Sequence, residues 1–271
     1  MTNSFDREAS KQRCGSYRKR ILEISQQVQA LHMASAFSCT EVVDTIYNGL
    51  MRPKDDGGFV DTFVMSKGHG CMIQYVILES LGTLSRNDMD RYCKADGILG
   101  CHPDVTNPGI EASTGSLGHG LSMAVGMAYA EHIQNTGGIV HVVTSDGELQ
   151  EGSTWEAFMQ APALGIDNLI AYIDNNDFQS LGRTSDTHPN FYPVGEKLAA
   201  FGWEAVELDG HDAAAIYDAV SSRKGGKPMA IVCKTTKGKG VSYMEDVPIW
   251  HYRAPSPEEY QQAIDEIEAS L

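Results

Sequence analysis

Short apolar runs alternate with amphipathic helical stretches over the second half of the chain, and this alternation constrains the fold most strongly. Apolar segments rich in β-branched residues occur at 139–144 and 168–173, with a helical pattern at 149–164 between them. The same order recurs in segments 204–208, 212–224 and 229–233. Repeated β–α–β units place their strands in parallel and their helices on the two faces of the sheet. The sequence therefore predicts an α/β fold, with a mostly parallel sheet and helices on both faces.

The first half of the chain is predicted to contain mainly helices. Apolar residues recur at helical spacing over residues 15–36, and a second amphipathic helix is expected at 40–51. A third predicted helix, at 121–130, follows a glycine-rich loop and consists largely of small residues. Small side chains allow another backbone to approach closely, so this helix is a candidate for an interface.

The C-terminal segment contains a sequence motif typical of the start of a helix. Ser256-Pro257-Glu258-Glu259 has the serine, the first-turn proline and the glutamate that form a capping box, and it predicts a last helix ending near residue 270. No linker and no repeat interrupts the chain. We therefore expect one domain over residues 1–271, with residues 1–14 as a flexible terminus.

Composition narrows the possible partners and the location. The chain has 271 residues and a formal net charge of −15, which argues against a broad nucleic-acid surface. Its longest uncharged stretch, 112–130, contains four glycines and is too polar for a membrane span. The N-terminal segment has no apolar core of a signal peptide. Six cysteines without a CxxC pair are expected to be reduced thiols, so we predict a cytoplasmic protein without nucleic-acid or membrane partners.

Two polar segments follow successive predicted strands. Asp146-Gly147 comes after the first and Asn175-Asn176 after the next, with 30 residues between Asp146 and Asn176. Ligands of open α/β sheets bind at this edge, and carboxylate and amide oxygens suit a hard cation that also holds phosphate. Taken singly, each segment also fits an ordinary turn or loop cap. A nucleotide site is disfavoured, because neither GxxxxGK[ST] nor GxGxxG after a strand occurs.

These segments carry a family resemblance. Asp146-Gly147, followed after about thirty residues by Asn176, resembles the diphosphate-binding motif of thiamine diphosphate enzymes. The segment from Glu148 to Gly152 with Trp155-Glu156-Ala157 resembles transketolases in particular. Further strings occur in the family's order, over about residues 15–260: Ser66-Lys67-Gly68-His69, Gly115-Ser116-Leu117-Gly118, Phe201-Gly202-Trp203-Glu204, Lys237-Gly238-Lys239-Gly240-Val241, Trp250-His251 and Ala254-Pro255.

The resemblance implies roles for individual residues. Asp146 and Asn176 would bind Mg²⁺ together with the backbone carbonyl of Phe178. Two groups would contact thiamine diphosphate: Ser145, Asp146, Gly147, Glu148, Asn176 and Phe178 at the diphosphate, and Gly115, Ser116 and Leu117 beside the aminopyrimidine. Glu151 resembles the acid that meets a catalytic glutamate of the partner domain. Four histidines match the family's substrate channel and, together with Glu151, are assigned as catalytic: His32, His69, His102 and His251.

Other titratable residues keep ordinary interpretations. Imidazoles shuttle protons near neutral pH, which suits sugar chemistry, but a lone histidine is more often a surface or core residue. We interpret four histidines in this way: His132, His141, His188 and His211. A basic cluster of Lys234, Lys237 and Lys239 either neutralises a phosphate or forms a solvated loop, and the sequence favours neither.

The chain also departs from the family's pattern. Ser145 occurs where glycine is usual, and Leu31 to Ser35 replace a glycine-rich string around His32. Ser116 replaces proline, His119 replaces glutamine and Tyr252 replaces glycine. Bulkier side chains next to the matched histidines predict a reshaped substrate channel. They leave the predicted metal ligands and Glu151 intact.

The resemblance implies the N-terminal subunit of a split transketolase. Such an enzyme moves a two-carbon ketol unit from a ketose, with or without a phosphate, to an aldehyde acceptor. The pyrimidine-binding domain would be a separate C-terminal subunit, giving an α2β2 heterotetramer that is active only when assembled. Two alternatives stay open: transfer of the two-carbon unit to a lipoyl or carrier-protein thiol, and a non-catalytic scaffold. Loss of Mg²⁺-dependent cofactor binding would favour the scaffold.

Overall fold

A five-stranded parallel sheet forms the centre of the computed structural model, which describes residues 5–28, 31–55 and 57–271. Its strands are β1 (Thr62–Met65), β2 (Val140–Ser145), β3 (Leu169–Asn175), β6 (Glu204–Asp209) and β7 (Met229–Lys234), in the spatial order β1-β2-β3-β7-β6. Every neighbouring pair is parallel. The prediction of a mostly parallel α/β sheet is confirmed.

Eleven α-helices occur among the described residues. They are α1 (Arg7–Ser25), α2 (Met33–Ser38), α3 (Thr40–Thr45), α4 (Cys71–Ser80), α5 (Arg86–Asp90), α6 (Gly120–Gln134), α7 (Gly152–Ala163), α8 (Thr184–Thr187), α9 (Val194–Ala200), α10 (Ala213–Ser221) and α11 (Pro257–Ser270). A π-helical turn, Ile46–Leu50, extends α3, and 3-10 turns cover Gly68–Gly70, Glu148–Gln150 and Pro248–His251. A two-residue hairpin, β4 (Phe178–Gln179) and β5 (Gly182–Arg183), follows β3. Within the described residues, no helix combines the length and the hydropathy of a membrane-spanning segment.

Helices cover both faces of the sheet, as predicted. Side chains of β3 alternate between two buried clusters: Ile170 and Tyr172 pack with α1–α4, whereas Ala171 and Ile173 pack with α6, α7 and α9. Both clusters exclude solvent almost completely from the central strands. A strand buried on both faces must be apolar throughout, which is why β2 and β3 were recognisable in the sequence.

The N-terminal predictions need correction. The expected flexible terminus at 1–14 is wrong for residues 7–14, because α1 starts at Arg7 with Asp6 as its N-cap; the Asp6 carboxylate accepts a 3.0 Å hydrogen bond from the Ala9 amide. Residues 1–4 lie outside the described residues. The helix predicted at 15–36 is two helices, because α1 ends at Ser25 and α2 starts at Met33.

Strand β1 and helix α4 were not assigned from the sequence. β1 has four residues and lies at the sheet edge, so its apolar run is too short to distinguish a strand from a helical turn. α4 is apolar on all sides because it is buried on nearly all sides, and it therefore lacks amphipathic periodicity.

The predicted capping box is confirmed: Ser256 Oγ accepts from the Glu259 amide, and the Glu259 carboxylate accepts from the Ser256 amide.

Candidate active site

The carboxyl ends of β2 and β3 bring the two predicted metal loops together. Ser145 pairs with Asp174 in the register of these strands, so Asp146 and Asn176 follow at the same edge of the sheet. The Asp146 amide donates a 3.2 Å hydrogen bond to the Asp174 carbonyl. The Asp146 carboxylate in turn accepts hydrogen bonds from the amides of Gly147 and Asp177. The two loops are therefore connected directly, as their spacing in the sequence predicted.

Three kinds of oxygen ligand lie in these loops. The Asn176 side-chain oxygen accepts a 3.1 Å hydrogen bond from the Phe178 amide, which folds the loop after β3 tightly. A Cβ atom added at Gly147 would lie 3.3 Å from the Phe178 carbonyl oxygen, so this carbonyl faces the β2 loop. Carboxylate, amide and carbonyl oxygens are the donors that Mg²⁺ prefers. The donor set of Asp146, Asn176 and Phe178 therefore fits a magnesium ion.

The electrostatics of Asp146 agree with this interpretation. Its carboxylate is completely buried, and within the described ranges it has no ion-pair partner. Burial, together with the negative charge of Asp174, raises the pKa of Asp146 to about 7. A bound divalent cation would stabilise the charged carboxylate. No three His, Cys, Asp or Glu side chains of the described residues form a group suited to a metal. A cation here therefore depends on the neutral oxygens of Asn176 and Phe178.

The four predicted channel histidines form one cluster. The ring of His32 lies 5.6 Å from His69, 5.9 Å from His102 and 5.1 Å from His251, measured between centroids. Four separate segments contribute them: the start of α2, the two 3-10 turns Gly68–Gly70 and Pro248–His251, and the loop that contains residue 102. Chain segments far apart in sequence therefore converge on one point.

These imidazoles are held in the neutral form. Burial, with the charges of His102 and Lys237, lowers the pKa of His32 to about 4. Burial and Lys237 lower the pKa of His251 to about 3. The pKa values of His69 and His102 are also lowered, first by burial. The Nδ1 atoms of His32 and His251 are buried without a hydrogen-bond partner in the described structure. Neutral imidazoles with free nitrogens are suited to form hydrogen bonds with sugar hydroxyls.

One cavity of about 490 Å³ joins the histidine cluster to the metal loops. Eleven of the fourteen predicted site residues line it: His32, His69, His102, Gly115, Leu117, Ser145, Gly147, Glu151, Asn176, Phe178 and His251. Asp146 lies buried behind the wall, and Ser116 is exposed outside the cavity. A larger cavity of about 730 Å³ between α1, α10 and α11 contains none of the fourteen. Its charged side chains are largely paired with one another, as Arg18 is with Glu41.

Comparison with known proteins decides the family. The family model described as transketolase, thiamine diphosphate binding domain, matches residues 11–255. The chain belongs to the transketolase family. This domain type binds thiamine diphosphate, which agrees with the oxygen donors and the open cavity at the edge of the sheet.

Curated relatives cover this transketolase domain almost entirely. One subunit of the apulose-4-phosphate transketolase of Phocaeicola vulgatus is 39% identical over 257 residues, which are 92% of this chain and 90% of the relative. The 6-deoxy-6-sulfo-D-fructose transketolase subunit SqwG of Clostridium sp. strain MSTE9 is 36% identical, covering 93% of each. The chain is thus similar to the N-terminal subunits of split transketolases.

Solved transketolases are longer. The structure of transketolase from Campylobacter jejuni subsp. jejuni NCTC 11168 superimposes with a TM-score of 0.89 and 25% identity. The superimposed region comprises 97% of this chain but only 43% of the Campylobacter chain. The human enzyme named transketolase is 34% identical over 89% of this chain and 39% of its own. The chain therefore spans about 40% of a full-length transketolase.

The glycine-rich loop is held from behind by Glu148. One carboxylate oxygen of Glu148 accepts from Ser66 Oγ at 2.7 Å and from the Gly118 amide at 2.9 Å, and the other accepts from Thr144. Glu148 does not line the cavity, so it acts on the loop and not by direct contact. Gly115 adopts a φ of +150°, and a Cβ there would lie 3.0 Å from the His102 ring. Glycine is therefore required for the loop to pack against this histidine.

The three lysines of the basic cluster have different surroundings. Lys237 lines the cavity and donates to the Ser180 carbonyl at 3.0 Å. Burial and the charge of Lys67 lower its pKa to about 8. Lys234 pairs with Glu207 and Lys239 with Glu245 outside the cavity. Of the three, Lys237 is positioned to neutralise a phosphate.

Sequence reasoning missed the buried ion pair beneath the cavity. Lys67 follows β1, and its ammonium donates to the Asp174 carboxylate and, at 2.8 Å, to the Ser35 carbonyl. Burial opposes the charge of Lys67, but Asp174 outweighs it and raises the pKa. The string Ser66-Lys67-Gly68-His69 after the apolar run 62–65 was the available signal. We interpreted this string only as part of the family resemblance and assigned no role to Lys67.

Proposed function

We propose that this chain is the diphosphate-binding subunit of a two-chain transketolase that moves a two-carbon ketol unit from a ketose to an aldehyde acceptor. A single observation carries the proposal: one cavity contains four clustered neutral histidines directly beside a set of oxygen donors for a cation. The metal loops serve a diphosphate, and the histidines serve a polyhydroxylated substrate. A diphosphate site alone would not need four clustered imidazoles.

The cofactor assembly would be thiamine diphosphate with Mg²⁺. Asp146, Asn176 and the Phe178 carbonyl would bind the ion, while Ser145 and Gly147 would face the diphosphate at the edge of the sheet. Lys237 would add a positive charge beside Phe178, over whose ring its ammonium lies at 5.1 Å. When bound, thiamine diphosphate supplies the carbanion chemistry by which a carbon–carbon bond is broken and formed.

The histidines of this chain would bind the hydroxyls of the sugar. His32 and His251 present free Nδ1 atoms, which accept or donate a hydrogen bond according to the tautomer. His69 and His102 complete a ring of imidazoles around the same space. The lowered pKa values keep the rings uncharged, so each ring offers one hydrogen-bond donor and one acceptor to the hydroxyls of a bound sugar.

Assembly with a pyrimidine-binding C-terminal subunit would complete the enzyme as an α2β2 heterotetramer. Relatives whose names describe them as single subunits of transketolases support a two-chain organisation, and the chain spans about 40% of a solved full-length transketolase. Glu151 is exposed at the cavity, where it can meet a partner residue. The net charge of −15 and the free thiols fit a cytoplasmic enzyme.

Substrates of the relatives suggest the type of sugar. The names of two relatives include a ketose phosphate, apulose 4-phosphate, and a sulfonated ketose, 6-deoxy-6-sulfo-D-fructose. We propose a ketose with a terminal anionic group as the donor of this enzyme.

Calorimetric titration of thiamine diphosphate with Mg²⁺ tests the proposal. The titration is run on the assembled pair and on each of its two chains by itself, with Asp218→Asn as a matched control variant because Asp218 is exposed on α10. We expect tight, Mg²⁺-dependent binding by the assembled pair and by its control variant. The assembled pair should then release an aldose from a ketose phosphate. Absence of binding by a verified complex would overturn the catalytic assignment.

A further inference from the structure

Tyr252 covers two of the clustered histidines at the mouth of the cavity. Its ring centroid lies 4.4 Å from that of His251 and 5.4 Å from that of His32, and both contacts are edge-on. The residue is 53% exposed, so it does not belong to the hydrophobic core. An aromatic ring that is half in solvent and half against two imidazoles forms part of the wall of the cavity.

The hydroxyl group of Tyr252 holds the ring in this place. It lies 3.2 Å from Ser180 Oγ, in the turn between β4 and β5. Ser180 has a φ of +52°, and its carbonyl accepts the hydrogen bond from Lys237. Tyr252 therefore connects the turn Pro248–His251 with the β4–β5 hairpin across the cavity mouth.

The position of the ring determines how much space a substrate finds beside the histidines. The unpartnered Nδ1 atoms of His32 and His251 lie in the same cluster that Tyr252 flanks. A sugar that binds beside these two histidines shares the cavity with the phenol ring. The whole cavity has about 490 Å³, which must accommodate part of the cofactor as well as the sugar. Side-chain volume at this position therefore limits the length of the substrate.

We propose that Tyr252 is a specificity-determining residue that restricts the aldehyde acceptor to short chains, and this rests on the proposed function. Its ring excludes long aldoses by steric contact. The hydrogen bond to Ser180 helps to hold the ring in place but contributes less to selectivity than the ring itself. Removal of the ring opens the wall beside His32 and His251. Steric exclusion of this kind typically changes relative rates by about 10- to 200-fold.

The test compares acceptors in the complete enzyme. The chain is assembled with its partner subunit, thiamine diphosphate and Mg²⁺, with β-hydroxypyruvate as donor and glycolaldehyde or D-ribose as acceptor. The measured quantity is the ratio of kcat/KM for glycolaldehyde to that for D-ribose. We expect this ratio to fall about tenfold in Tyr252→Gly. It should stay within about twofold of wild type in Tyr252→Phe, which keeps the ring. Comparing ratios between variants cancels the difference in free aldehyde content.

A second measurement does not depend on turnover. Diethyl pyrocarbonate is applied to the unliganded chain, and carbethoxylation of His32 and His251 is followed by peptide mass spectrometry. Their rates should rise severalfold in Tyr252→Gly and Tyr252→Ala but not in Tyr252→Phe. The exposed His188 serves as the internal control, and its rate should be the same in all variants. If the carbethoxylation rates of His32 and of His251 were the same in the wild type and in every variant, the ring would not shield these histidines. That result would overturn the inference.

Different results would overturn the role of Tyr252 and the proposed function. An active enzyme whose acceptor ratio is unchanged in Tyr252→Gly, at an unchanged melting temperature, overturns the role of Tyr252 alone. An assembled wild-type enzyme that binds the cofactor with Mg²⁺ but transfers to neither acceptor overturns the proposed function, and the acceptor selectivity with it.

Discussion

The ammonium of Lys67 and the carboxylate of Asp174 form a fully buried ion pair at the end of the sheet. Lys67 follows β1 and Asp174 lies in β3, so the pair passes across the end of β2, where the first predicted metal loop begins. The Asp174 carboxylate also accepts hydrogen bonds from the hydroxyls of Ser38 and Thr235 and from the side-chain nitrogen of Asn176. The pair thereby connects the sheet, α2 and a predicted metal ligand.

Replacing Lys67 by methionine is expected to destabilise the chain strongly. The substitution leaves Asp174 charged and buried without its cation, which costs about 3–5 kcal/mol of unfolding free energy. Urea denaturation measures the loss. Lys234→Met is the matched control, because Lys234 forms an exposed ion pair worth at most about 1 kcal/mol. Similar midpoints for the two variants would mean that the buried pair contributes no more than a surface one.

Replacing Asp146 by asparagine is expected to abolish Mg²⁺-dependent binding of thiamine diphosphate. The substitution removes the charged ligand, and since even second-shell partners of a metal contribute about 10- to 100-fold, the loss should exceed about 100-fold. Isothermal calorimetry on the assembled enzyme provides the measurement, and circular dichroism verifies the fold. Retained affinity in a folded Asp146→Asn protein would place the metal elsewhere.

The histidine cluster predicts a particular pH dependence of stability. Because the pKa of His251 is about 3 in the fold and near 6.5 in an unfolded chain, the unfolded state binds more protons below pH 6.5. Stability is therefore complete above pH 6.5 and falls as the pH is lowered, by up to about 1.4 kcal/mol per pH unit for each such histidine. His251→Asn should reduce this slope between pH 6.5 and 5, as measured by urea denaturation at each pH. An unaltered slope would show that His251 titrates normally.

We expect the partner subunit to bind at the exposed face of helix α6. Ala124 and Ala128 are buried against the sheet, whereas an added Cβ at Gly126 meets no atom within 4 Å. Gly126→Leu should therefore leave the isolated chain folded but weaken assembly with the partner subunit. Ala128→Leu should instead destabilise the chain by about 1–3 kcal/mol through overpacking. Sedimentation of the mixed subunits distinguishes the two effects, and undiminished assembly of Gly126→Leu would exclude this face.

Some parts of the candidate site followed from local sequence. Asp146 and Asn176 each directly follow an apolar strand, and neighbouring parallel strands bring their carboxyl ends to one edge. Their convergence was therefore predictable from spacing alone. The channel histidines were assigned by family resemblance, since their positions 32, 69, 102 and 251 have no common period.

Other parts depended on packing that no short pattern records. The chain's apolar periodicity and strand-end residues determined the parallel sheet, its two covered faces and the edge that carries the predicted metal loops. Tertiary structure alone decided that Lys67 pairs with Asp174, that Glu148 holds the glycine loop from behind, and that Tyr252 flanks His32 and His251. Periodicity reports which side of an element is buried, because burial removes apolar area from water. Pairing between distant side chains depends on where whole elements pack, and that is settled only when the sheet and its helices assemble.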